Sequence, residues 1–143
     1  MNNILRSPLF YVGDKFKLLP QLLEIFPKEV NNFYEPFLGG GSIFINIKAK
    51  KYFLNDIDNN LINIHKYLIA SSGNQDLFFK NIENIILKYQ LSRSYKEDII
   101  PHELKLKWKK TYFARFNKTN YIKLRDHFNS VNEIDPLILY ILL

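Results

Sequence analysis

Residues 32–47 read NFYEPFLGGGSIFINI and hold three of the five glycines in the chain. These three form a segment that we call the glycine turn: Gly39, Gly40 and Gly41. Glycine loses more backbone freedom on folding than any other residue, so a triplet indicates a backbone that turns tightly or is approached closely. The aromatic run 33–37 predicts a short buried strand, with Pro36 near its end, where a missing N–H is tolerated. The stretch therefore predicts a strand that leads into a tight turn.

Apolar spacing on both sides of the glycine turn predicts alternating helices and strands. A helical stripe over residues 15–26 is expected to become regular near Leu19, because Pro20 suits the first turn of a helix. We predict a helix, a strand and a helix, in that order, over residues 42–49, 51–55 and 59–70. Such alternation is typical of a parallel sheet whose strands are joined by crossover helices, and so of the α/β class.

The second half of the chain has a different character. Helical spacing covers residues 76–89, 94–116 with an interruption at Pro101, and 119–129, and no convincing strand follows residue 56. Asp135 and Pro136 are typical of the start of one more helix. We therefore predict an α/β part over residues 1–72 and a mostly helical part over residues 73–143.

The positive charge of the chain is concentrated in one place. The net charge is +6, yet residues 105–125, which we call the basic segment, hold eight Lys and Arg and no Asp or Glu. Acidic residues outnumber basic ones in the rest of the chain. A local positive excess predicts a polyanionic partner, with nucleic acid first. The alternative is a helical bundle with aromatic residues inside and lysines on a solvated face.

Several classes of protein are disfavoured by composition. The chain has no cysteine, which excludes a disulfide framework and a thiolate metal site. Its three histidines, His65, His102 and His127, are scattered, so we expect no metal site and place each at the surface or the edge of the core. No apolar run has the ~20 residues of a membrane helix, and the N-terminal stretch does not have a secretory signal pattern. We expect a soluble cytoplasmic protein with no membrane partner.

An acidic residue after the second predicted strand completes a candidate site with the glycine turn. Ligands of open α/β sheets bind beyond the carboxyl ends of the strands, where an acid holds ribose hydroxyls, and Asp56 lies seventeen positions after Gly39. The dinucleotide fingerprint fails because position 44 is Phe, and no P-loop lysine follows the glycines. Glu35 would repel a pyrophosphate and attract an ammonium. S-adenosylmethionine fits this mixture, while an ordinary glycine loop beside an exposed Asp remains open.

Three segments resemble motifs of the Dam-type adenine-specific DNA methyltransferases, in the family's order. They are EPFLGGGSIF at 35–44, LFYVGDKFKLLPQL at 9–22 and LNDIDNNLINIHKYL at 54–68, with looser similarity at 116–130 and 135–143. The resemblance implies a Rossmann-like methyltransferase sheet, incomplete here, followed by a mostly helical target-recognition segment.

The same resemblance implies roles for the residues of the candidate site. Tyr11 and Lys15 would line the pocket of S-adenosylmethionine, the glycine turn would lie beneath its methionine part, and Asp56 would hold its ribose. Two positions depart from the family pattern: Asp14 replaces a usual glycine, and Asp58 replaces a usual asparagine.

The resemblance also places duplex DNA against the basic segment, since the family's target-recognition region follows the cofactor motifs. Lysine and arginine neutralise phosphates, and arginine also reads guanine in the major groove. The candidate DNA-binding residues are Lys109, Lys110, Arg115, Lys118, Lys123 and Arg125.

The family transfers a methyl group from S-adenosylmethionine to the exocyclic amino group of a flipped adenine. Its catalytic motif is Asp/Asn-Pro-Pro-aromatic, and this sequence contains no Pro-Pro pair, so we assign no catalytic residue. We expect the N-terminal part of a methyltransferase of a restriction-modification type, truncated before that motif, that does not methylate DNA alone. Two alternatives stay open: a non-catalytic nucleic-acid-binding domain, and one subunit of a split enzyme whose second chain carries the catalytic half.

Overall fold

A computed structural model describes residues 4–93, 95–96 and 100–143. The chain divides into two compact units, and the division falls between Lys66 and Tyr67. The first unit is mixed α/β and contains both strands of the described residues, whereas the second is helical over its described part. None of the helices in the described ranges is both long and apolar enough to cross a membrane.

Two parallel strands form the sheet of the N-terminal unit. Strand β1 is Val30–Glu35 and strand β2 is Ala49–Leu54. Their register places Phe33 opposite Tyr52 and Glu35 opposite Leu54, so both strands end at the same edge. The predicted strands and their parallel pairing are confirmed, although each strand begins and ends earlier than predicted. Strand β1 ends just before Pro36, which has no N–H to donate.

Helix α1, Leu19–Ile25, has proline in its first turn and begins at the predicted residue. The four residues before it, Lys15–Leu18, form a 3-10 turn rather than part of the α-helix. Leu19 is fully buried in a core with Phe33, Ile43 and Ile47. This core holds α1 against the sheet through its apolar stripe.

The predicted helix over residues 42–49 is wrong, because only a 3-10 turn over Phe44–Asn46 forms there. In an α-helix the Ser42 carbonyl would accept the backbone N–H of Asn46. Instead it accepts the side-chain amide of Asn46 at 2.8 Å, while the Asn46 backbone N–H donates to Ile43. The same amide reaches the Leu5 carbonyl at 2.8 Å. The two parallel strands are therefore joined without a crossover α-helix.

Helix α2, Asn59–Ser71, follows the second strand as predicted. Its buried residues are Leu61 and, three and four positions after it, Ile64 and His65. This spacing gives α2 one buried face.

The second unit contains helices α3 to α6: Gln75–Lys88, His102–Trp108, Tyr112–Ser130 and Pro136–Leu142. Helix α5 contacts α4 and α6, and α3 contacts α6. Of the predicted helix 94–116, residues 94 and 97–99 lie outside the described residues, and α4 begins directly after Pro101. Helix α5 begins seven residues before the predicted position 119. It is separated from α4 at Lys109, which has a positive φ of 42°.

Candidate functional site

Backbone hydrogen bonds tie the loop after β1 to the end of β2. The Asn55 N–H donates to the Glu35 carbonyl at 2.9 Å, and the Leu38 N–H donates to the Asn55 carbonyl at 2.9 Å. The Gly39 N–H then donates to the Asp56 carboxylate oxygen Oδ2 at 2.8 Å. The glycine turn and Asp56 therefore lie together at the carboxyl edge of the sheet.

Tyr11 and Lys15 reach the same place from the N-terminal segment. A Cβ atom built on Gly39 would lie 3.7 Å from Cδ1 of Tyr11 and 4.0 Å from Nζ of Lys15. The Lys15 ammonium donates to the Phe37 carbonyl at 2.5 Å and lies 3.7 Å from Oε1 of Glu35. The structure thus brings together all seven residues of the candidate cofactor site: Tyr11, Lys15, Glu35, Gly39, Gly40, Gly41 and Asp56.

Contacts within the protein explain why the turn consists of glycine. Gly39 and Gly41 have positive φ values of 52° and 79°. A Cβ on Gly41 would lie 2.5 Å from the Phe44 ring and 2.8 Å from the His65 ring, and a Cβ on Gly40 would lie 3.4 Å from the Leu9 carbonyl oxygen. The close approach that the triplet predicts is therefore made by the chain's own atoms.

Asp56 is held as a carboxylate. Besides the Gly39 N–H, it accepts the Asp58 N–H at 3.1 Å through Oδ1. These hydrogen bonds, with the one from Gly39 first, lower the pKa of Asp56 below its ordinary value of 3.8. An ionised carboxylate has about four acceptor sites, so acceptor capacity remains for the hydroxyl groups of a ligand.

Glu35 is a buried carboxyl group with unused acceptors. The residue is 5% exposed, and neither of its carboxylate oxygens has a hydrogen-bond partner among the described residues. Burial raises the pKa of Glu35 above 4.5, and the nearby Lys15 ammonium offsets part of that effect. Buried polar atoms in native proteins are nearly always hydrogen-bonded, so this side chain is suited to a donor from a ligand.

Two residues that the sequence analysis did not assign to the site also hold the glycine turn. His65 is 7% exposed, and its Nε2 lies 2.9 Å from the Gly39 carbonyl oxygen. The Ser7 hydroxyl donates to the Gly40 carbonyl. His65 lies four positions after Leu61 on the buried face of α2, and this spacing is the signal that could have identified it. No comparable pattern marks Ser7.

The six candidate DNA-binding residues are all exposed in the second unit. Lys109 and Lys110 belong to a 3-10 turn after α4, and the other four lie on α5: Arg115, Lys118, Lys123 and Arg125. Lys118 and Lys123, five positions apart, point about 140° away from each other around the helix axis. The candidates on α5 therefore do not all face the same side of the helix.

Two of these cations have partners on neighbouring residues. The Arg115 guanidinium lies 4.0 Å from the centroid of the Trp108 ring, and Arg125 donates to the Asp126 carboxylate at 2.8 Å. The aromatic residues of the basic segment are divided: Trp108, Tyr112 and Phe113 are half-buried, whereas Phe116 and Tyr121 are each 39% exposed. The bundle alternative thus describes only part of this aromatic set.

No group of three or more His, Asp or Glu side chains suited to a metal ion occurs within the described ranges.

Sequence comparison relates the chain to adenine-specific DNA methyltransferases. A family model described as D12 class N6 adenine-specific DNA methyltransferase matches residues 11–143. The modification methylase StsI of Streptococcus sanguinis is 31% identical over 138 residues, which are 96% of this chain and 17% of that protein. The type II methyltransferase M.FokI of Planomicrobium okeanokoites is 34% identical over 96 residues, 67% of this chain and 14% of that protein.

A DNA adenine methylase of Haemophilus influenzae is 39% identical over 59 residues, which are 41% of this chain and 21% of that protein. The chain therefore spans about a fifth or less of the length of these curated relatives.

Proposed function

The chain belongs to the D12 class N6 adenine-specific DNA methyltransferase family, and from this premise we propose that its N-terminal unit binds S-adenosylmethionine. The observation that carries the proposal is the meeting of three separate segments at the glycine turn, where Gly39 bonds Asp56 and lies against Tyr11 and Lys15. The functional division that we propose is a cofactor-binding part over residues 1–72 and the start of a DNA target-recognition region over residues 73–143.

The residues present fit this cofactor. The Glu35 carboxylate, which lies 3.7 Å from Lys15 but accepts no hydrogen bond from the described residues, is suited to the ammonium group, and the free acceptor sites of Asp56 are suited to the ribose hydroxyls. Tyr11, Lys15 and the glycine turn complete the proposed binding set. When bound, S-adenosylmethionine supplies an electrophilic methyl group on its sulfonium.

The proposed sheet is Rossmann-like. Strands β1 and β2 are parallel and end at one edge, and the candidate residues lie beyond that edge. Parallel strands with a ligand site beyond their carboxyl ends are typical of doubly wound α/β folds. This supports the finer assignment of the sheet.

The basic segment is the proposed contact with duplex DNA. Its exposed lysines and arginines are suited to phosphates: Lys109, Lys110, Arg115, Lys118, Lys123 and Arg125. We propose that the whole protein methylates adenine in DNA in a restriction-modification setting, and that it acts in the cytoplasm, where DNA and cofactor are found.

The proposal assigns no catalytic residue to this chain, because its sequence contains no Pro-Pro pair. The catalytic motif would come from further residues of the same protein or from a second chain. We expect no transfer of labelled methyl groups to DNA by the purified 143-residue chain. Measurable turnover by this chain alone would contradict that expectation.

Calorimetric titration with S-adenosylmethionine tests the proposed site. We expect saturable binding to the wild type, weakened about 100-fold in Asp56→Ala, because this change removes the ribose acceptors and leaves the Gly39 N–H unpaired.

Asp58→Ala is the matched control. The Asp58 side chain accepts the Asn60 N–H at 2.9 Å and, within the described part of the chain, makes no hydrogen bond with Gly39, so affinity should stay within about threefold of the wild type. Equal affinity in the wild type and a folded Asp56→Ala variant would overturn the proposed site.

A further inference from the structure

The backbone of the glycine turn is held by side chains from three distant segments. The Gly39 N–H bonds Asp56, the Gly39 carbonyl bonds His65, and the Gly40 carbonyl bonds Ser7. Both backbone polar groups of Gly39 are therefore hydrogen-bonded: the N–H to Asp56 after β2, and the carbonyl to His65 of α2.

The hydrogen bond to Gly39 identifies the ring nitrogen of His65 that carries a hydrogen. A carbonyl oxygen only accepts, so Nε2 carries the hydrogen. Burial is the main cause that lowers the pKa of His65 below its ordinary value of 6.5, and the Gly39 carbonyl and the Asp56 carboxylate oppose it in part. The ring is thus neutral at pH 7, with its proton on the nitrogen that faces the turn.

Packing fixes the direction of the His65 ring. The ring contacts Phe44 edge-on, with centroids 6.0 Å apart and an interplanar angle of 76°. Its Cε1 atom lies 2.8 Å from the place that a Gly41 Cβ would take. The imidazole therefore fills the space beneath Gly41 while it donates to Gly39.

We propose that His65 is a positioning residue of the cofactor site, which fixes the Gly39 peptide groups so that the Gly39 N–H stays directed at Asp56. This inference rests on the proposed function of the turn as a binding site for S-adenosylmethionine. His65 acts through the backbone of Gly39 and has no assigned contact with the ligand. A role in packing alone would require only an apolar side chain of similar volume.

A pair of variants separates the hydrogen bond from the packing. His65→Met keeps a buried side chain of similar length but has no donor, so the Gly39 carbonyl loses its partner. His65→Gln places an amide nitrogen close to the position of Nε2 and keeps the donor. We expect the dissociation constant for S-adenosylmethionine to rise about tenfold in His65→Met and to stay within about threefold in His65→Gln.

Hydrogen exchange of the Gly39 amide supplies a readout that needs no ligand. In His65→Met we expect this amide to exchange about tenfold faster, with the Asn55 amide unchanged as an internal reference in the same unit. In His65→Gln both amides should exchange as in the wild type. Rescue by Gln of both affinity and exchange is the result that supports positioning.

The outcomes are distinct for the two proposals. Wild-type affinity and wild-type Gly39 exchange in a folded His65→Met variant would overturn the role of His65. Absence of cofactor binding by the wild type would overturn the proposed function, and exchange at Gly39 would then decide the role of His65 in holding the turn.

If His65→Met does not fold, His65→Asn replaces it. Asparagine is one methylene shorter than glutamine and does not reach the Gly39 carbonyl. The Gly39 amide should therefore exchange faster in His65→Asn than in His65→Gln. Equal exchange and affinity in the two variants would contradict the proposal.

Discussion

The glycine turn is held by contacts between residues far apart in sequence, whereas the cations of the basic segment contact residues close to them in sequence. In the turn, Gly39 bonds Asp56 seventeen positions away and His65 twenty-six positions away, and Lys15 bonds Phe37 across twenty-two. In the basic segment, Arg125 pairs with the adjacent Asp126, and Arg115 lies over Trp108, seven positions before it.

This difference has a consequence for how each region responds to mutation. The turn depends on several elements of the N-terminal unit, so one substitution removes several contacts and the effects are not additive. The basic segment presents separate exposed cations, and phosphate contacts contribute in a roughly additive manner. A decisive single residue is therefore expected in the turn and not in the basic segment.

The largest expected effect comes from Gly41→Ala, with Gly13→Ala as its control. Both glycines have a positive φ, 79° and 83°, but a Cβ on Gly13 meets nothing within 4 Å. Gly13→Ala should lower the free energy of unfolding by about 1 kcal/mol through backbone strain alone. Gly41→Ala adds a clash with Phe44 and His65 and should lower it by about 4 kcal/mol.

Native-state hydrogen exchange of the β1 and β2 amides measures this free energy for the N-terminal unit. Equal losses in the two variants would mean that the tight packing around Gly41 is not what the turn depends on.

A smaller effect is expected from a triple alanine replacement of Lys110, Lys118 and Lys123. Duplex DNA affinity at ~0.1 M salt should fall about 30-fold, and the log–log salt slope should decrease by about three, because each lost phosphate contact removes about 0.9. Single replacements should each have a modest and similar effect. Filter binding across a salt series gives both quantities.

The matched control replaces Lys17, Lys28 and Lys80, which are exposed and lie outside the basic segment. This control variant changes the net charge by the same amount as the triple variant of the basic segment. If it weakens DNA binding as much, the basic segment is not the binding surface.

The smallest effect is expected from Glu35→Gln, and its size depends on pH. The pKa of Glu35 is raised by burial, so its contribution to stability is fully present below the ordinary value of 4.5 and is lost as pH rises through the folded pKa. Glu35→Gln has no ionisable group at this position, so its stability does not fall in this way as pH rises. It should therefore be more stable than the wild type at pH 8, by about 1 kcal/mol, and the difference should disappear near pH 4.

The same variant should bind S-adenosylmethionine about tenfold more weakly, since a neutral amide is a poorer partner for an ammonium. Glu29→Gln is the control, because Glu29 is exposed and pairs with Lys48 at the surface. A variant that is less stable than the wild type at pH 8 would show that Glu35 is favourably paired within the protein.

The order of motifs predicted much of the candidate site. Parallel strands end at one edge, so residues after each strand meet there, and this brought the glycine turn and Asp56 together without knowledge of the structure. The sequence did not predict the hydrogen bonds from side chains to distant backbone groups. The Asn46 amide bonds the Leu5 carbonyl, forty-one positions away, as well as the Ser42 carbonyl, at a place where apolar spacing favoured a helix. Local periodicity contains no information about such a bond.

His65 is a second example of a contact that sequence patterns did not predict. Its spacing from Leu61 places it on the buried face of α2, yet only the fold reveals that this face lies under Gly39. Asn117 lies in the gap between the predicted helices 94–116 and 119–129, yet it is inside α5 and its side chain bonds Ser92. Sequence patterns did not predict these two bonds between side chains and remote parts of the chain.

The most direct test of the difference between the two regions is an amide chemical-shift titration with S-adenosylmethionine. We predict saturable shifts at the amides of Tyr11, Lys15, the glycine turn and Asp56, with those of residues 109–125 unchanged. Largest shifts in the basic segment, or none in the glycine turn at saturating cofactor, would contradict the assignment of the cofactor site to the N-terminal unit.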